Sequence, residues 1–329
     1  MDCLKTYYGI EAVTLTYLSL GADMDASVYK ADTQKGRSYF VKLKRGHHHD
    51  ISTAIMELLQ YAKIQQIIPP IKTIQGLLTQ HSDNFTFIVY PFVEGQDGFS
   101  HSLTDEQWFI LGKTLRQIHE IDVPSPIQHR IRREIYSSKW REAVRSFYPH
   151  LEAEVTGDPM AVKLLIFMKD NRKIIERLVA RAEQLAQKIH NESPKFVLCH
   201  ADIHGGNILI DKNNNPYIVD WDDPIMAPKE RDLMFIGGGV GNVWNKPLEE
   251  ALFYKGYGDT AINRTLLAYY RHERIVEDIA LYCQSLLFTT EKHEDKLEIY
   301  EHFISMFVSR GVVDIAFETD EISRSMTEY

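Results

Sequence analysis

The stretch Val197–Asp222, VLCHADIHGGNILIDKNNNPYIVDWD, sets a polar cluster between short apolar runs and constrains the fold more than any other segment. Phe196-Val197-Leu198-Cys199 and Ile208-Leu209-Ile210 are strand-like, Asn213-Asn214-Asn215-Pro216 has turn composition, and Tyr217-Ile218-Val219 begins another strand. The pattern is a hairpin with acidic residues at both ends. Asp202 and Asn207 fall on the loop before it and Asp220 just beyond it, so closing the hairpin carries three oxygen-bearing side chains towards one point. Hard cations prefer such oxygen ligands. Taken singly, Asp202 is an ordinary turn former and Asn207 an ordinary loop cap; their joint spacing is what points to chemistry. His200 and His204 stand four apart, as zinc ligands on a helix do, but Gly205-Gly206 follows at once and the flanks read as strand. His200 is read instead as a buried hydrogen-bonding post that shapes the loop.

Upstream, Val13 to Tyr29 alternates apolar and polar residues and turns at Leu20-Gly21-Ala22-Asp23, giving two strands about a glycine-containing turn. Ser38 to Lys44 is a further strand, and its period of two places Phe40, Lys42 and Lys44 on one face. Lysines on a strand also serve to deter edge pairing. Residues 50–63 show a helical stripe of Ile51, Ala54, Ile55, Leu58, Leu59 and Ala62. After Pro69-Pro70, Ile71 to Leu78 and Phe85 to Val89 read as a hairpin, and Tyr90-Pro91-Phe92-Val93-Glu94-Gly95 closes the segment. Thr104 with Gln107 forms a capping box for a helix over Leu103 to Ile121. From Ile127 to His190 the text is almost all helical, with a break at Val155 to Pro159. The glycine-rich Gly237 to Asn245 follows no strand and lacks dinucleotide-loop spacing, so it reads as a flexible loop on the substrate side. Tyr269 to Asp278 starts an amphipathic helix rich in charge.

A chain of 329 residues, 44% hydrophobic and 25% charged, can bury a sizeable core as one bilobal unit or two domains. Its net charge of −9, from 37 basic and 46 acidic residues with no basic block, argues against a nucleic-acid partner and suits a cationic ligand. Cys3, Cys199 and Cys283 show no paired spacing and Met1 to Lys5 opens no signal-peptide core, so reduced thiols and a cytoplasmic location are expected. Apolar runs such as Leu164 to Met168 fall short of the roughly 20 residues that cross a bilayer, so no membrane partner is expected.

His200-Ala201-Asp202, Asn207 and Asp220-Trp221-Asp222 together resemble the catalytic segment of kinases, H-R-D-x-x-x-x-N followed by a D-F-G metal site. With D-W-D in the second place, the text is similar to the aminoglycoside phosphotransferase family, which shares the protein-kinase fold and phosphorylates small molecules. The resemblance implies an α+β, bilobal, protein-kinase-like fold. A small antiparallel-sheet N-lobe with one helix would occupy residues 1–95 and end in a hinge, and a larger, mainly helical C-lobe would occupy 96–329. It implies ATP as co-substrate and Mg²⁺ as cofactor. Asp202 would be the catalytic base, Asn207 and Asp220 the metal ligands, and Lys42 the holder of the α- and β-phosphates. Gly21 would lie over the phosphates, and Tyr90, Phe92 and Val93 would form the hinge whose backbone meets adenine. The helix acid that pairs with Lys42 is Asp50 or Glu57; Asp50 is favoured because the family's acid precedes the closing Leu58-Leu59 by about two turns. Asp232 is expected to tie down the catalytic loop.

The acceptor implied is a small cationic aminocyclitol or aminoglycoside antibiotic, since Pro228 to Pro247 and Tyr269 to Ala280 are most similar to members acting on aminocyclitols. A monomer is the expected state. Choline, homoserine or thio-sugar kinases of the same fold would carry the same motifs, and a binding-only pseudokinase would share the architecture. Intact Asp202, Asn207 and Asp220 favour turnover. A protein-kinase role is disfavoured because no A-P-E segment follows Asp220.

Overall fold

Strand and helix signals in the sequence resolve, in a computed structural model, into two compact units; the structure describes residues 1–18, 26–46, 51–152, 158–289 and 293–327. The first unit comprises Met1–Ser102, Glu120–Arg132 and Gly206–Pro224, the second Leu103–His119, Arg133–Gly205 and Ile225–Tyr329. The first thus takes in, after Ser102, two later segments, among them the hairpin.

Five antiparallel strands organise the first unit: β1 (Ala12–Leu18), β2 (Ala26–Thr33), β3 (Ser38–Arg45), β4 (Gln80–Ser82) and β5 (Phe85–Pro91), in the order β1-β2-β3-β5-β4. β3 lies at the centre, with Lys42 opposite Val28 on β2 and Ile88 on β5. Alternation splits β3 as its sequence dictates. Val41, with Tyr39 and Leu43, packs against Leu4 and Tyr8 of helix α1 (Asp2–Tyr8) and against Ala31 and Val89, which leaves Phe40, Lys42 and Lys44 on the other face.

Helix α2 (Ile51–Tyr61) forms as its apolar period requires, but it is rotated from the expected stripe. Ser52, Thr53, Ile55, Met56 and Leu59 are buried, while Ile51, Ala54 and Leu58 are half-buried. Ile71 to Leu78 is not a strand; turn chemistry wins there. The Thr73 hydroxyl and carbonyl accept the N–H groups of Leu77 (3.0 Å) and Gly76 (2.9 Å), and Gly76 takes φ 84°. The hairpin partner of β5 is the shorter β4.

A second sheet in this unit runs in the order Pro216–Ile218, Ile208–Asp211, β6 (Gly95–Asp97), all antiparallel. Any Cβ at Gly95 would sit 2.3 Å from the Ile210 carbonyl, so glycine is what allows β6 to reach the hairpin. Asp211 closes the turn by accepting the N–H groups of Asn213 and Asn215, both at 2.8 Å, with Asn214 in the left-handed region at φ 65°.

Helices dominate the second unit. Thr104 and Gln107 make the expected reciprocal cap on the helix Asp105–His119, at 2.8 and 3.3 Å. This helix packs against Pro247–Tyr257 so closely that a Cβ on Gly112 would lie 2.0 Å from the Phe253 carbonyl. The helices Lys139–Glu152, Pro159–Asp170, Arg172–His190 and Arg264–Phe288 bury Val144, Phe147, Leu164, Met168, Leu178, Val276 and Ile279 in one core. The segment after Leu233 is held at several points. Arg271 donates to the carbonyls of Met234 (3.1 Å) and Ile236 (2.7 Å), and buried Trp244 meets Trp108 edge-on at 5.0 Å. Among the described residues no helix is long and apolar enough to cross a membrane.

Candidate active site

In the first unit the central strand delivers a cation to the end of the hairpin. Lys42 Nζ donates to Asp222 Oδ2 at 2.5 Å and to Asp220 Oδ1 at 3.2 Å, and Lys44 Nζ lies 3.2 Å from Asp222 Oδ1. Burial would push the Lys42 ammonium down, but Asp220 and Asp222 outweigh it and hold it above the ordinary lysine range. For Asp222 burial acts upward, and Lys42 and Lys44 overcome it and keep the carboxyl below its ordinary value. Asp220 sits at φ 61°, a left-handed conformation that costs about 1 kcal/mol for a residue with a Cβ. Its neighbours enforce it: the Val219 N–H donates to the Asn207 carbonyl (3.0 Å), and buried Trp221 donates its indole N–H to the Ile218 carbonyl (3.1 Å). Asn207 is buried, whereas the Asp220 side chain is about half exposed at 49%. One amide oxygen and one accessible carboxylate make a donor set that fits a hard divalent cation.

The second unit builds the loop that carries Asp202. The strand Val197–Cys199 pairs with Ile225–Ala227, and beyond it the chain turns at Ala201, φ 75°. Asp232, with no solvent exposure, holds that turn. Its Oδ2 accepts the His200 N–H (2.9 Å) and faces His119 Nε2 (3.0 Å), and its Oδ1 accepts the Ala201 N–H (2.7 Å). His200 is buried, and its Nδ1 accepts the Asp202 N–H at 3.2 Å, which fits a loop-shaping post. The Asp202 carboxylate meets Arg274 Nη1 through Oδ1 at 2.5 Å and His204 Nε2 through Oδ2 at 3.3 Å. Burial pushes this carboxyl up, but His204 and Arg274 outweigh it and hold it far below the usual carboxylate range. Both neighbours therefore favour its ionised form. His119, Cys199 and Asp232 lie close enough to share a metal, yet the Asp232 oxygens are already engaged. Burial pushes the Cys199 thiol well up, so it stays a neutral donor to the Pro228 carbonyl at 3.5 Å.

Of the residues singled out in the sequence, the structure brings Lys42 and Asp220 into contact and pins the Asn207 backbone beside them. Gly21 and Asp50 lie outside the described residues. Glu57 is not the partner of Lys42: it is exposed on α2 and pairs with Lys72 at 2.6 Å. Tyr90, within β5, lies edge-on to Phe40 (6.2 Å), Phe92 just beyond the strand donates its N–H to the Ser38 carbonyl (3.1 Å) under the Lys30 ammonium, and Val93 follows in irregular backbone. Sequence reasoning assigned no role to Asp222, Arg274 or Asp278. Lys42 and Lys44 on one strand face were the available signal for an acid such as Asp222.

The model of the phosphotransferase enzyme family matches residues 16–261. Among solved structures, spectinomycin phosphotransferase APH(9)-Ia in complex with ADP and spectinomycin is 49% identical, with 97% of each chain covered and a TM-score of 0.92. An AMP-bound complex of that enzyme is 48% identical over 96% of each chain, with a TM-score of 0.88. An amicoumacin kinase at 16% identity, covering 93% of this chain and 91% of its own, shares the fold with a TM-score of 0.62. A search of curated proteins gave no match. A family model over most of the chain and a whole-length relative of nearly half identity agree with the motif geometry: the chain belongs to the phosphotransferase enzyme family, as an ATP-dependent phosphotransferase of the aminoglycoside and aminocyclitol type.

Proposed function

We propose that the chain transfers the γ-phosphoryl group of ATP to a hydroxyl of spectinomycin, the 9-hydroxyl, and so confers resistance to that antibiotic. The observation that carries this reading is the 49% identity, over 97% of both chains, to a spectinomycin phosphotransferase bound to spectinomycin. The local chemistry supports it. Phosphoryl transfer to an alcohol needs positioning and charge neutralisation more than covalent catalysis, and the residues present are of those kinds.

Lys42 is the group for the α- and β-phosphates. Asn207 and Asp220 are the ligands for Mg²⁺, which when bound neutralises charge on the β- and γ-phosphates. Asp202 accepts the hydrogen bond of the acceptor hydroxyl, aligns its oxygen with the γ-phosphorus and takes its proton as the new O–P bond forms and the bond to ADP breaks. A carboxylate held far below its usual range is a weak base. It suits a loose transition state, in which orientation of the hydroxyl matters more than early proton removal. The acidic balance of the protein, −9, suits an acceptor with two methylamino groups.

A panel of acceptors tests the reading. ADP release with Mg²⁺ and ATP is expected to be fastest with spectinomycin and far slower with kanamycin-like aminoglycosides, choline, homoserine or a thio-sugar. Faster turnover of any of these would keep the kinase and remove the antibiotic assignment; ATP binding without turnover of any acceptor would make it a pseudokinase.

A further inference from the structure

The helix Arg264–Phe288 presents a charged group beside Asp202 to which the transfer chemistry above gives no role. Arg274 Nη1 donates to Asp202 Oδ1 at 2.5 Å, while Nε, on the other side of the same guanidinium, donates to both carboxylate oxygens of Asp278, at 2.9 and 3.1 Å. The guanidinium also lies 5.5 Å from the centre of the Phe235 ring, and Asp278 follows Arg274 by one helical turn. Held by an acid and an aromatic ring, this arginine is fixed before any ligand arrives. A lysine would be a mobile point charge instead of a planar fork.

We propose that Arg274 is the positioning residue of the Asp202 base: clamped by Asp278 and Phe235, it fixes the plane of the Asp202 carboxylate and places a positive charge between the carboxylates of Asp202 and Asp278. The proposal rests on Asp202 being the group that meets the acceptor hydroxyl. An ionised carboxylate offers about four lone-pair positions. Arg274 engages one on Oδ1 and His204 faces Oδ2, so positions remain for a hydroxyl, now in a set direction.

The charges around Asp202 make the second half of the argument. From its own loop it faces His204, and its backbone N–H meets His200 Nδ1; from the helix it faces Arg274, with Asp278 and Glu277 behind. Asp278, Asp202 and Glu277 together hold the Arg274 guanidinium above its ordinary range against burial, and Asp202 and Glu277 add to the burial that raises Asp278. Without Arg274 this is a cluster of like charges in a partly buried place. One carboxyl then takes up a proton. A protonated Asp202 can no longer accept the proton of the acceptor.

The test is the pH profile of kcat/KM between about pH 5 and 9, measured with ATP, Mg²⁺ and the acceptor that the parent turns over fastest. Arg274→Met, Arg274→Lys and Arg274→Met/Asp278→Asn are compared with the parent, and thermal midpoints and ADP affinity report folding. For Arg274→Met, kcat is expected to fall by part of the roughly 10²–10⁴-fold that a positioned base contributes, with KM for ATP unchanged. The parent's limb for this carboxylate lies below the window, and in Arg274→Met an acid limb should enter it. Adding Asp278→Asn should return the limb towards the parent without restoring kcat. Arg274→Lys, which keeps the charge and loses the fork, should keep the parent's limb and lose kcat; should Arg274→Met fail to fold, this variant carries the test. Parent kcat in Arg274→Lys overturns the positioning role. A profile for folded Arg274→Met as flat on the acid side of the window as the parent's overturns the charge role. Asp202→Asn is run alongside: if it retains turnover, the assignment of Asp202 itself falls, whatever the Arg274 variants do.

Discussion

Replacing Asp232 should remove the Asp202 loop from its working shape, and the structure sets the size of the effect. Asp232 is fully buried and accepts two backbone N–H groups, from His200 at 2.9 Å and Ala201 at 2.7 Å, besides facing His119 at 3.0 Å. Hydrogen bonds to an ionised buried acceptor contribute about 1.5–3 kcal/mol each, so Asp232→Ala should cost about 3–6 kcal/mol from the two backbone donors. Part of that loss is relieved if Ala201 relaxes from φ 75°, a conformation that costs about 1–2 kcal/mol. Asp232→Asn keeps the shape, but its amide N–H₂ must face one of the donors, so about half of the loss remains. Urea denaturation measures the stability term, and initial rates of ADP release measure the loop. Both variants should lose most turnover. ADP affinity should survive, because Lys42, Asn207 and Asp220, the groups proposed for the nucleotide and its metal, belong to the first unit. An Asp232→Ala protein within 1 kcal/mol of the parent and with the parent kcat would refute the claim that this carboxylate holds the loop; 1 kcal/mol is below the cost of about one such bond.

Asp222→Asn should raise KM for ATP by roughly ten-fold or more, the equivalent of one charge-assisted bond, because Lys42 loses its 2.5 Å partner; initial-rate kinetics with unchanged KM for ATP would contradict this. Asp220→Ala should abolish the Mg²⁺ dependence of nucleotide binding, and coincident magnesium titrations of variant and parent would remove Asp220 as a ligand. His272 is fully buried, with Nδ1 bonded to the Ala268 carbonyl and no partner for Nε2 among the described residues, and burial pushes it down to about 4. A depressed pKa means the unfolded chain binds the extra proton, so this stability is present above the ordinary histidine value of about 6.5 and is lost as pH falls towards about 4. The loss is about 2 kcal/mol by pH 5, and His272→Gln should flatten that part of the urea midpoint's pH dependence; an equal slope in both proteins would refute it. Gly112→Ala should cost about 1–3 kcal/mol by overpacking against the Phe253 carbonyl, read as a lower urea midpoint with an unchanged m-value.

Local signals were legible and tertiary partners were not. The period of two on β3 placed Lys42 and Lys44 on one face, and Thr104 with Gln107 announced a cap that is present, because both are decided by residues close in sequence. The hairpin was readable in the same way from its strand and turn composition, whereas the tie from Asp232 to the loop was readable because its spacing matches a known family. Asp222 as the partner of Lys42 lies far along the chain, and no local pattern records such a pairing. Arg274 sits in the charged run of an amphipathic helix, and only the fold turns one residue of it towards Asp202. His119 ends a helix with an apolar stripe, and no local pattern records its polar contacts with Asp232 and Tyr257, which come from other segments. On α2 the burial of Ser52 and Thr53 in place of Ile51 and Ala54 shows tertiary packing overriding a stripe counted from hydrophobicity.

The measurement that bears most directly on the account is the structure of the product made from ATP, Mg²⁺ and spectinomycin. Phosphorus NMR and mass spectrometry should show one phosphate monoester, on the 9-hydroxyl, formed by the parent and not by Asp202→Ala, which should still bind ADP. Spectinomycin recovered unmodified, or a phosphate ester formed equally well by Asp202→Ala, would contradict it.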